Sequence, residues 1–393
     1  MHSLLTRVAE QLQRTLIGFS ESLTEPTDTG YLRGYELDLL GSAGERERRL
    51  VFVAVEHGGA GGDGALVLPL EGLSRPASVW LYPDDPALPT LRRVTDVASA
   101  TGVLSALGVA GKPVSVRVVS YRPGRRAVVR VDTEGPSLFL KVVEPGKAES
   151  IAERHELFRL SGLPVPKPLG WSPEGLIAMS GLPGVEAQSV VGSIGDHAAF
   201  LDQVEFVCSL LAESPSVNTA RPSLFRRLDW YVERLIEALP DDRDRILIAG
   251  GAIASRGAIG LQFEYTPVPI HGDLHLGQLF VDPLRPSVIA GILDIDTAGV
   301  GDPADDAGAF YAHLIALAES LTERDGRGAD ESFRLARGWR GRWPRNLNAG
   351  FADRASAIAA THLLGHALQP RVLHPVEASR HLLRHAESLV GID

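Results

Sequence analysis

Oxygen-bearing side chains in two neighbouring segments form the clearest chemical pattern in this sequence. Residues 271–278 read HGDLHLGQ and residues 291–296 read GILDID. Asp273 follows a glycine that permits a tight loop, Gln278 offers an amide oxygen, and Asp294 ends an apolar run that predicts a strand. Phosphoryl transfer needs a carboxylate to orient a hydroxyl and hard oxygen ligands to hold Mg²⁺. The two segments supply that set.

The same two segments resemble the catalytic loop and metal-binding strand of the aminoglycoside phosphotransferase-like kinases, which share the protein-kinase fold. The family loop reads HGDxxxxN, and Gln278 stands here where Asn is usual. The Gln form is similar to the maltokinase and glucosamine kinase branch rather than to the drug-modifying branch. The resemblance covers about residues 112–385.

This resemblance implies a role for each matching residue. Asp273 would be the catalytic base or the carboxylate that orients the hydroxyl. Gln278 and Asp294 would hold Mg²⁺, and Asp296 would assist a second metal ion or face the acceptor. His271 is expected to brace the loop.

Three further acidic residues follow in the segment GDPADD. Asp302, Asp305 and Asp306 could cap the next helix, because carboxylates accept hydrogen bonds from the free N–H groups of a helix N-terminus. Alternatively, one of them contacts a polar acceptor, and a cluster of acidic groups there would favour a cationic ligand.

A kinase also needs a turn that covers the nucleotide phosphates. The candidate is residues 121–126, YRPGRR, which lacks the GxGxxG of protein kinases but resembles the YxPGRR-like turn of related sugar kinases. Its phosphate-binding candidates are Arg122, Gly124, Arg125 and Arg126. The alternative is a solvated basic hairpin tip.

Lys141 lies in an apolar strand pattern, SLFLKVV, in a chain that has few lysines. In the resembling family this lysine contacts the α- and β-phosphates, and a helix glutamate pairs with it. Glu153 is the expected partner, with Glu149 and Glu156 as competitors. The alternative is an edge lysine whose ammonium reaches solvent.

The segment after the next predicted strand matches the hinge of the resembling kinases, where backbone groups would bind adenine. Its candidate residues are Met179, Ser180 and Leu182. Because backbone atoms make those contacts, the side chains do not distinguish ATP from GTP.

Hydrophobic periodicity predicts how these motifs are carried. Short alternating runs fill the first part of the chain, antiparallel strands and one helix follow within 114–162, and helical periodicity dominates from about 188. The prediction is an α+β, bilobal protein-kinase-like fold with an antiparallel β N-lobe, a mainly helical C-lobe and an extra β-rich N-terminal cap subdomain. The predicted domains are a cap at 1–110, an N-lobe with hinge at 111–184 and a C-lobe at 185–393.

Composition narrows the class of protein. The chain has 393 residues, 44% hydrophobic and 22% charged, as in globular proteins, and its net charge of −10 argues against nucleic-acid binding. One cysteine, Cys208, excludes an internal disulfide. No apolar run predicts a membrane span or a signal peptide, so we expect a cytoplasmic protein. The glycine cluster at 58–64 predicts a hairpin loop.

Two aromatic and histidine patterns remain open at this stage. Trp339 and Trp343 lie among arginines and predict helix packing, or else a wall that stacks on a sugar face. Histidines spaced four apart on two predicted helices could bind a metal ion, although helix surface is the simpler interpretation.

The sequence therefore predicts an ATP- and Mg²⁺-dependent kinase that phosphorylates a hydroxyl of a sugar or amino sugar. An antibiotic phosphotransferase acting on an aminoglycoside or macrolide is the first alternative, and a nucleotide-binding pseudokinase with a regulatory role is the second. The expected partner is a small-molecule hydroxyl acceptor, with neither nucleic acid nor membrane involved.

Overall fold

The computed structural model describes most of the chain, in two compact units. The described residues are 1–27, 30–56, 66–69, 76–215, 218–324, 326–345, 349–369 and 375–392. The glycine cluster at 58–64 lies outside them. One unit comprises Met1–Glu153 and Lys167–Gly181, and the other comprises Arg154–Pro166 and Leu182–Asp393. The three predicted domain boundaries stay predictions.

The first unit begins with a helix on an antiparallel sheet. Its elements are α1 (His2–Gln11), β1 (Thr15–Thr27), β2 (Gly30–Leu40), β3 (Arg46–Glu56), β4 (Leu66–Pro69), β5 (Pro76–Leu81) and α2 (Val97–Ala106). The sheet order is β1-β2-β3-β5-β4. Leu4, Leu5 and Val8 share one face of α1 and are buried in a core with alternate residues of β2, such as Leu37 and Leu39. This packing fixes α1 on the sheet.

A second antiparallel sheet completes the unit. Its strands are β6 (Pro113–Arg122), β7 (Arg126–Thr133), β8 (Leu138–Val143), β9 (Pro168–Ser172) and β10 (Leu176–Ser180), and α3 (Ala148–Leu160) lies between β8 and β9 in the chain. The order is β6-β7-β8-β10-β9. Ala127, Val129 and Val131 alternate along β7 and are fully buried, where they pack in one core with Val103 and Leu104 of α2. Alternation thus places one face of the sheet on the core.

The second unit is mainly helical. Its elements after α3 are β11 (Val185–Glu186), α4 (His197–Glu213), α5 (Leu228–Ala238), α6 (Arg243–Gly260), β12 (Val268–Ile270), β13 (Leu279–Asp282), β14 (Arg285–Ile292), β15 (Gly299–Gly301), α7 (Pro303–Glu323), α8 (Ala329–Arg340), α9 (Phe351–Ala367) and α10 (Pro375–Val390). A Cβ on Gly308 of α7 would lie 2.9 Å from the carbonyl oxygen of Ala355 in α9. The glycine therefore lets these two buried helices approach closely.

Side chains that the sequence left open take structural roles in this unit. Trp339 is buried and donates its indole N–H to the carbonyl of Ala307 at 2.9 Å, which confirms the helix-packing interpretation. His381 and His385 of α10 both contact the Glu319 carboxylate of α7, at 3.0 and 2.8 Å. These histidines therefore join two helices.

Antiparallel sheets followed by a mainly helical part confirm the predicted α+β fold. Within the described ranges, no helix combines the length and the apolar character that a membrane crossing requires.

Candidate active site

A buried carboxylate holds the loop that contains Asp273. Asp306, near the start of α7, accepts hydrogen bonds from the backbone N–H groups of His271 at 2.7 Å and Gly272 at 2.8 Å. Gly272 has φ +80°, and a Cβ there would lie 2.8 Å from the carbonyl oxygen of Thr297, so only glycine fits. Burial raises the pKa of Asp306, while the two N–H donors favour its charged form. Asp306 is thus a loop anchor, and neither a helix cap nor an acceptor contact.

The imidazole of His271 ties this loop to the segment that carries Asp294. Its Nε2 lies 2.8 Å from the carbonyl oxygen of Leu293, so Nε2 carries the proton, and Nδ1 accepts the backbone N–H of Asp273 at 3.3 Å. The N–H of Leu293 in turn donates to the carbonyl oxygen of Gln278 at 2.7 Å. These bonds confirm that His271 braces the loop, and they bring the two predicted segments together.

The two carboxylates of the LDID segment have different surroundings. Asp294 has φ +53°, a left-handed conformation that aspartate tolerates better than most residues and that occurs often at functional sites. Asp296 lies with its Oδ1 3.8 Å from Nε2 of His155 on α3, and its carbonyl oxygen accepts a hydrogen bond from Arg154. Asp296 is therefore directed toward α3, and its metal role stays a prediction.

Gln278 is held by the neighbouring histidine of the same loop. Its carboxamide lies 3.1 Å from Nε2 of His275, whose Nδ1 accepts the N–H of Gly277 at 3.1 Å. Because Nδ1 is an acceptor, the ring proton is on Nε2, and the carboxamide must present its oxygen to it. That oxygen keeps a second lone pair for a cation.

These donors fit a magnesium ion that is bound together with a nucleotide. Within the described residues, no three histidine, cysteine, aspartate or glutamate side chains converge as a metal site. Mg²⁺ commonly takes only one or two carboxylates from the protein and completes its octahedron with phosphate oxygens and water. Asp294 with the oxygen of Gln278 matches that pattern.

Asp273 has an ionic partner that the sequence did not reveal. Nη1 of Arg221 lies 3.3 Å from Oδ1 of Asp273, and both side chains are partly exposed. Arg221 lies in the segment RPSL between α4 and α5, where no motif or periodicity singles it out. Only the path of the chain brings it to the loop.

A cluster of imidazoles packs behind the loop. His275 stacks on His313 at a centroid distance of 4.6 Å, and His366 meets His313 edge-on at 4.5 Å. Burial lowers the pKa of His313 well below its usual value and lowers the pKa of His362 to about 3. His362 and His366, one of the pairs of histidines spaced four apart that could bind a metal ion, therefore belong to a packing cluster of imidazoles.

The remaining acidic residues near α7 are engaged or buried. Asp302 caps α7 through the N–H of Ala304 and accepts a hydrogen bond from the buried Arg354 at 2.6 Å. Asp305 is largely buried, its Oδ1 has no hydrogen-bond partner among the described residues, and burial raises its pKa to about 7. The helix-capping prediction is confirmed for Asp302 alone.

Lys141 lies at the centre of the second sheet of the first unit. Its strand neighbours are Val128 in β7 and Ile177 in β10, and it is only 7% exposed. This central position excludes the edge-lysine alternative, and the phosphate-binding role of Lys141 stays a prediction. Glu153 is exposed and has no ion pair with a described residue, and Glu156 pairs with Arg159 at 2.6 Å. Which of these glutamates pairs with Lys141 stays a prediction.

The turn at 121–126 is held by a second buried carboxylate. Asp85 is 2% exposed, and its Oδ2 accepts hydrogen bonds from the hydroxyl of Tyr121 and the N–H of Gly124, both at 2.7 Å. Its Oδ1 accepts the N–H of Ala87 at 2.9 Å. Burial, followed by the nearby Asp85 charge, raises the pKa of Tyr121. The sequence showed only a turn-rich stretch here, so Asp85 was missed.

These contacts correct the role expected of Gly124. Its N–H is committed to Asp85, and its φ of +69° shapes the turn, so it offers no donor to a phosphate. Arg122 lies 3.5 Å from Glu25 across an exposed pair, as expected of a solvated hairpin tip. Arg125 is exposed and Arg126 is half-buried, and their phosphate-binding roles stay predictions.

The predicted hinge lies at one of the three points where the chain passes from one unit to the other, the one after Gly181. Ser180 and Lys167 exchange hydrogen bonds through both backbone and side-chain atoms, each at 2.9 Å. Met179 is buried, and Leu182 packs where a Cβ on Gly291 would otherwise lie. Nucleotide binding by this segment stays a prediction.

Known proteins show the same architecture. The model of the phosphotransferase enzyme family matches residues 120–342. The GDP complex of wild-type aminoglycoside 2'-phosphotransferase-IIIa is similar, with a TM-score of 0.50, 16% identity, and coverage of 75% of this chain and 98% of that chain. The GDP and kanamycin complex of APH(2")-IIia has a TM-score of 0.51, 16% identity, and coverage of 74% and 99%. These likenesses confirm the kinase-like fold. Comparison with curated sequences found no match.

Substitution Asp85→Ala tests the anchor of the turn. It removes three hydrogen bonds to a buried carboxylate, so we expect a loss of about 2–4 kcal/mol in the free energy of unfolding and faster amide hydrogen exchange at 122–126. Glu25→Ala, which removes an exposed ion pair near the same turn, should change stability by less than about 0.5 kcal/mol. Equal exchange rates in the two variants would contradict the anchor.

The raised pKa of Asp305 makes the free energy of unfolding depend on pH. Its pKa is about 7 in the folded chain and about 4 in the unfolded chain, so the folded state binds the extra proton between these values. Its contribution to stability therefore falls as pH rises from 4 to 7. Asp305→Asn should raise the free energy of unfolding by about 1–3 kcal/mol at pH 8 and by much less at pH 5. Denaturant unfolding at both pH values measures this gain, and the exposed Asp229→Asn should show none. A gain in the free energy of unfolding that is the same at both pH values would refute the raised pKa of Asp305.

Proposed function

Because the chain belongs to the phosphotransferase enzyme family, we propose that it is an ATP- and Mg²⁺-dependent cytoplasmic kinase that phosphorylates a hydroxyl of a sugar or amino sugar. The family makes it a phosphotransferase with an alcohol group as acceptor, so a regulatory pseudokinase is not retained. The form HGDLHLGQ at 271–278 supports an acceptor like those of maltokinase and glucosamine kinase.

The observation that carries the proposal is the network around the loop. Asp306 and His271 fix the loop backbone, while the Asp273 side chain remains 30% exposed. A fixed carboxylate open to solvent can orient an acceptor hydroxyl. In the reaction, the acceptor oxygen bonds to the γ-phosphorus as the bond to the ADP oxygen breaks, and the hydroxyl proton passes to Asp273.

The other residues would bind the nucleotide. Lys141, with Arg125 and Arg126, would neutralise phosphate charge. Asp294 and Gln278 would hold Mg²⁺, with Asp296 available to a second ion. A bound Mg²⁺ offsets the negative charge on the phosphate oxygens.

An antibiotic acceptor, aminoglycoside or macrolide, would use the same steps. The two interpretations differ only in the molecule that reaches Asp273. An acceptor panel therefore separates them, and running it with both ATP and GTP identifies the donor.

The first test combines that panel with Asp273→Asn. ADP or GDP formation is measured with neutral sugars, amino sugars, aminoglycosides and macrolides. The wild type should turn over a sugar or amino sugar, and Asp273→Asn should reduce kcat at least about 10³-fold while nucleotide affinity changes little, because only proton acceptance is lost. Retained turnover would refute the role of Asp273, and turnover of antibiotics alone would refute the sugar assignment.

The second test concerns the metal. Asp294→Ala removes the carboxylate ligand, so ATP binding should lose most of its dependence on Mg²⁺. Calorimetric titration of ATP with and without Mg²⁺ measures this. Asp282→Ala, at a half-buried aspartate on β13 that pairs with Arg285, is the matched control and should keep the full effect of Mg²⁺. An unchanged Mg²⁺ effect in Asp294→Ala would exclude it as a ligand.

A further inference from the structure

We propose that Arg221 selects the acceptor by charge, so that the site accepts neutral hydroxyl-bearing molecules and discriminates against polycations. This inference rests on the proposed function and narrows its substrate class. Nη1 of Arg221 lies 3.3 Å from Oδ1 of Asp273, and the two side chains are 38% and 30% exposed. A guanidinium group therefore reaches solvent beside the carboxylate that a hydroxyl must approach.

The position of Arg221 is fixed by the loop network itself. Its backbone N–H donates to the carbonyl oxygen of Thr297 at 3.0 Å, and the Thr297 hydroxyl donates to the carbonyl oxygen of His271 at 2.9 Å. A Cβ on Gly299 would lie 2.6 Å from the backbone nitrogen of Ala220, so this segment packs closely against β15. The positive charge is thus held next to Asp273 by the residues that brace the catalytic loop.

Two carboxylates of the acidic run that could attract a cation are occupied. Asp302 is bonded to the guanidinium of Arg354 and to a helix N–H. Asp306 is directed to the backbone N–H groups of His271 and Gly272. From the sequence, the acidic run GDPADD suggests a cation-binding surface. In the fold, two of its three carboxylates already bind groups of the protein itself.

The groups behind Arg221 supply no negative charge of their own, so its guanidinium pairs with Asp273 alone among these neighbours. His313 and His362 are enclosed between α7 and α9, and both sense the positive charge of Arg221. Their imidazoles contribute no negative charge that would offset it. Arg221 therefore offsets the negative charge of Asp273 that would otherwise attract a polycation, whereas a neutral sugar meets guanidinium donors that can bind its hydroxyl oxygens.

The experiment compares maltose, glucosamine and kanamycin as acceptors for the wild type, Arg221→Gln and Arg221→Lys. In the wild type, kcat/KM should be highest for maltose and at least about tenfold lower for kanamycin. Arg221→Gln should lower the ratio of kcat/KM for maltose to kcat/KM for kanamycin about tenfold. Arg221→Lys should preserve the ratio while lowering kcat for maltose, because an ammonium keeps the charge but loses the planar fork.

Arg234→Gln is the matched control, since it breaks an exposed ion pair with Glu237 on α5 and should leave the ratio unchanged. Kanamycin used as well as maltose by the wild type, or the same ratio in Arg221→Gln, would overturn the proposal. If no acceptor is turned over, the sugar assignment itself fails. Calorimetric binding then decides the charge preference: tighter kanamycin binding by Arg221→Gln than by the wild type supports it, and equal binding refutes it.

Discussion

The hydrogen bonds from the backbone of His271 and Gly272 to the buried carboxylate of Asp306 are the interaction on which the candidate site depends. Their loss would leave a buried charge and two buried N–H groups without partners, at a cost of several kcal/mol. Because the same loop bonds to Leu293, the anchor also places Asp294 relative to Asp273. One interaction therefore sets the backbone geometry of the two carboxylates on which the proposed function rests.

The two units use the same device for their key loops. In the second unit Asp306 receives two consecutive backbone N–H groups, and in the first unit Asp85 receives the N–H of Gly124 with the hydroxyl of Tyr121. Each carboxylate comes from a distant part of the chain and is almost fully buried. A charged acceptor gives stronger hydrogen bonds than a neutral one, which suits loops that lack the regular bonds of a helix or sheet.

The charge near the predicted acceptor site depends on which side chains are paired, and not on the overall composition of the chain. The acidic run at 301–306 and the net charge of −10 suggest an attraction for cations. In the fold, Asp302 is paired with Arg354, Asp306 is bonded to backbone, and Arg221 brings a positive charge to Asp273. Fewer carboxylates near the predicted acceptor are therefore free to attract a cation than a residue count suggests.

The sequence by itself determined the α+β fold, the candidate catalytic loop and the strand position of Lys141, because periodicity and loop spacing are local properties of a chain. It also predicted the bracing role of His271. Only the tertiary structure decided the partners: Asp85 for the turn, Asp306 for the loop and Arg221 for Asp273. Such contacts join residues far apart in sequence, and no local pattern distinguishes a carboxylate or guanidinium that will be buried and paired from one that stays in water.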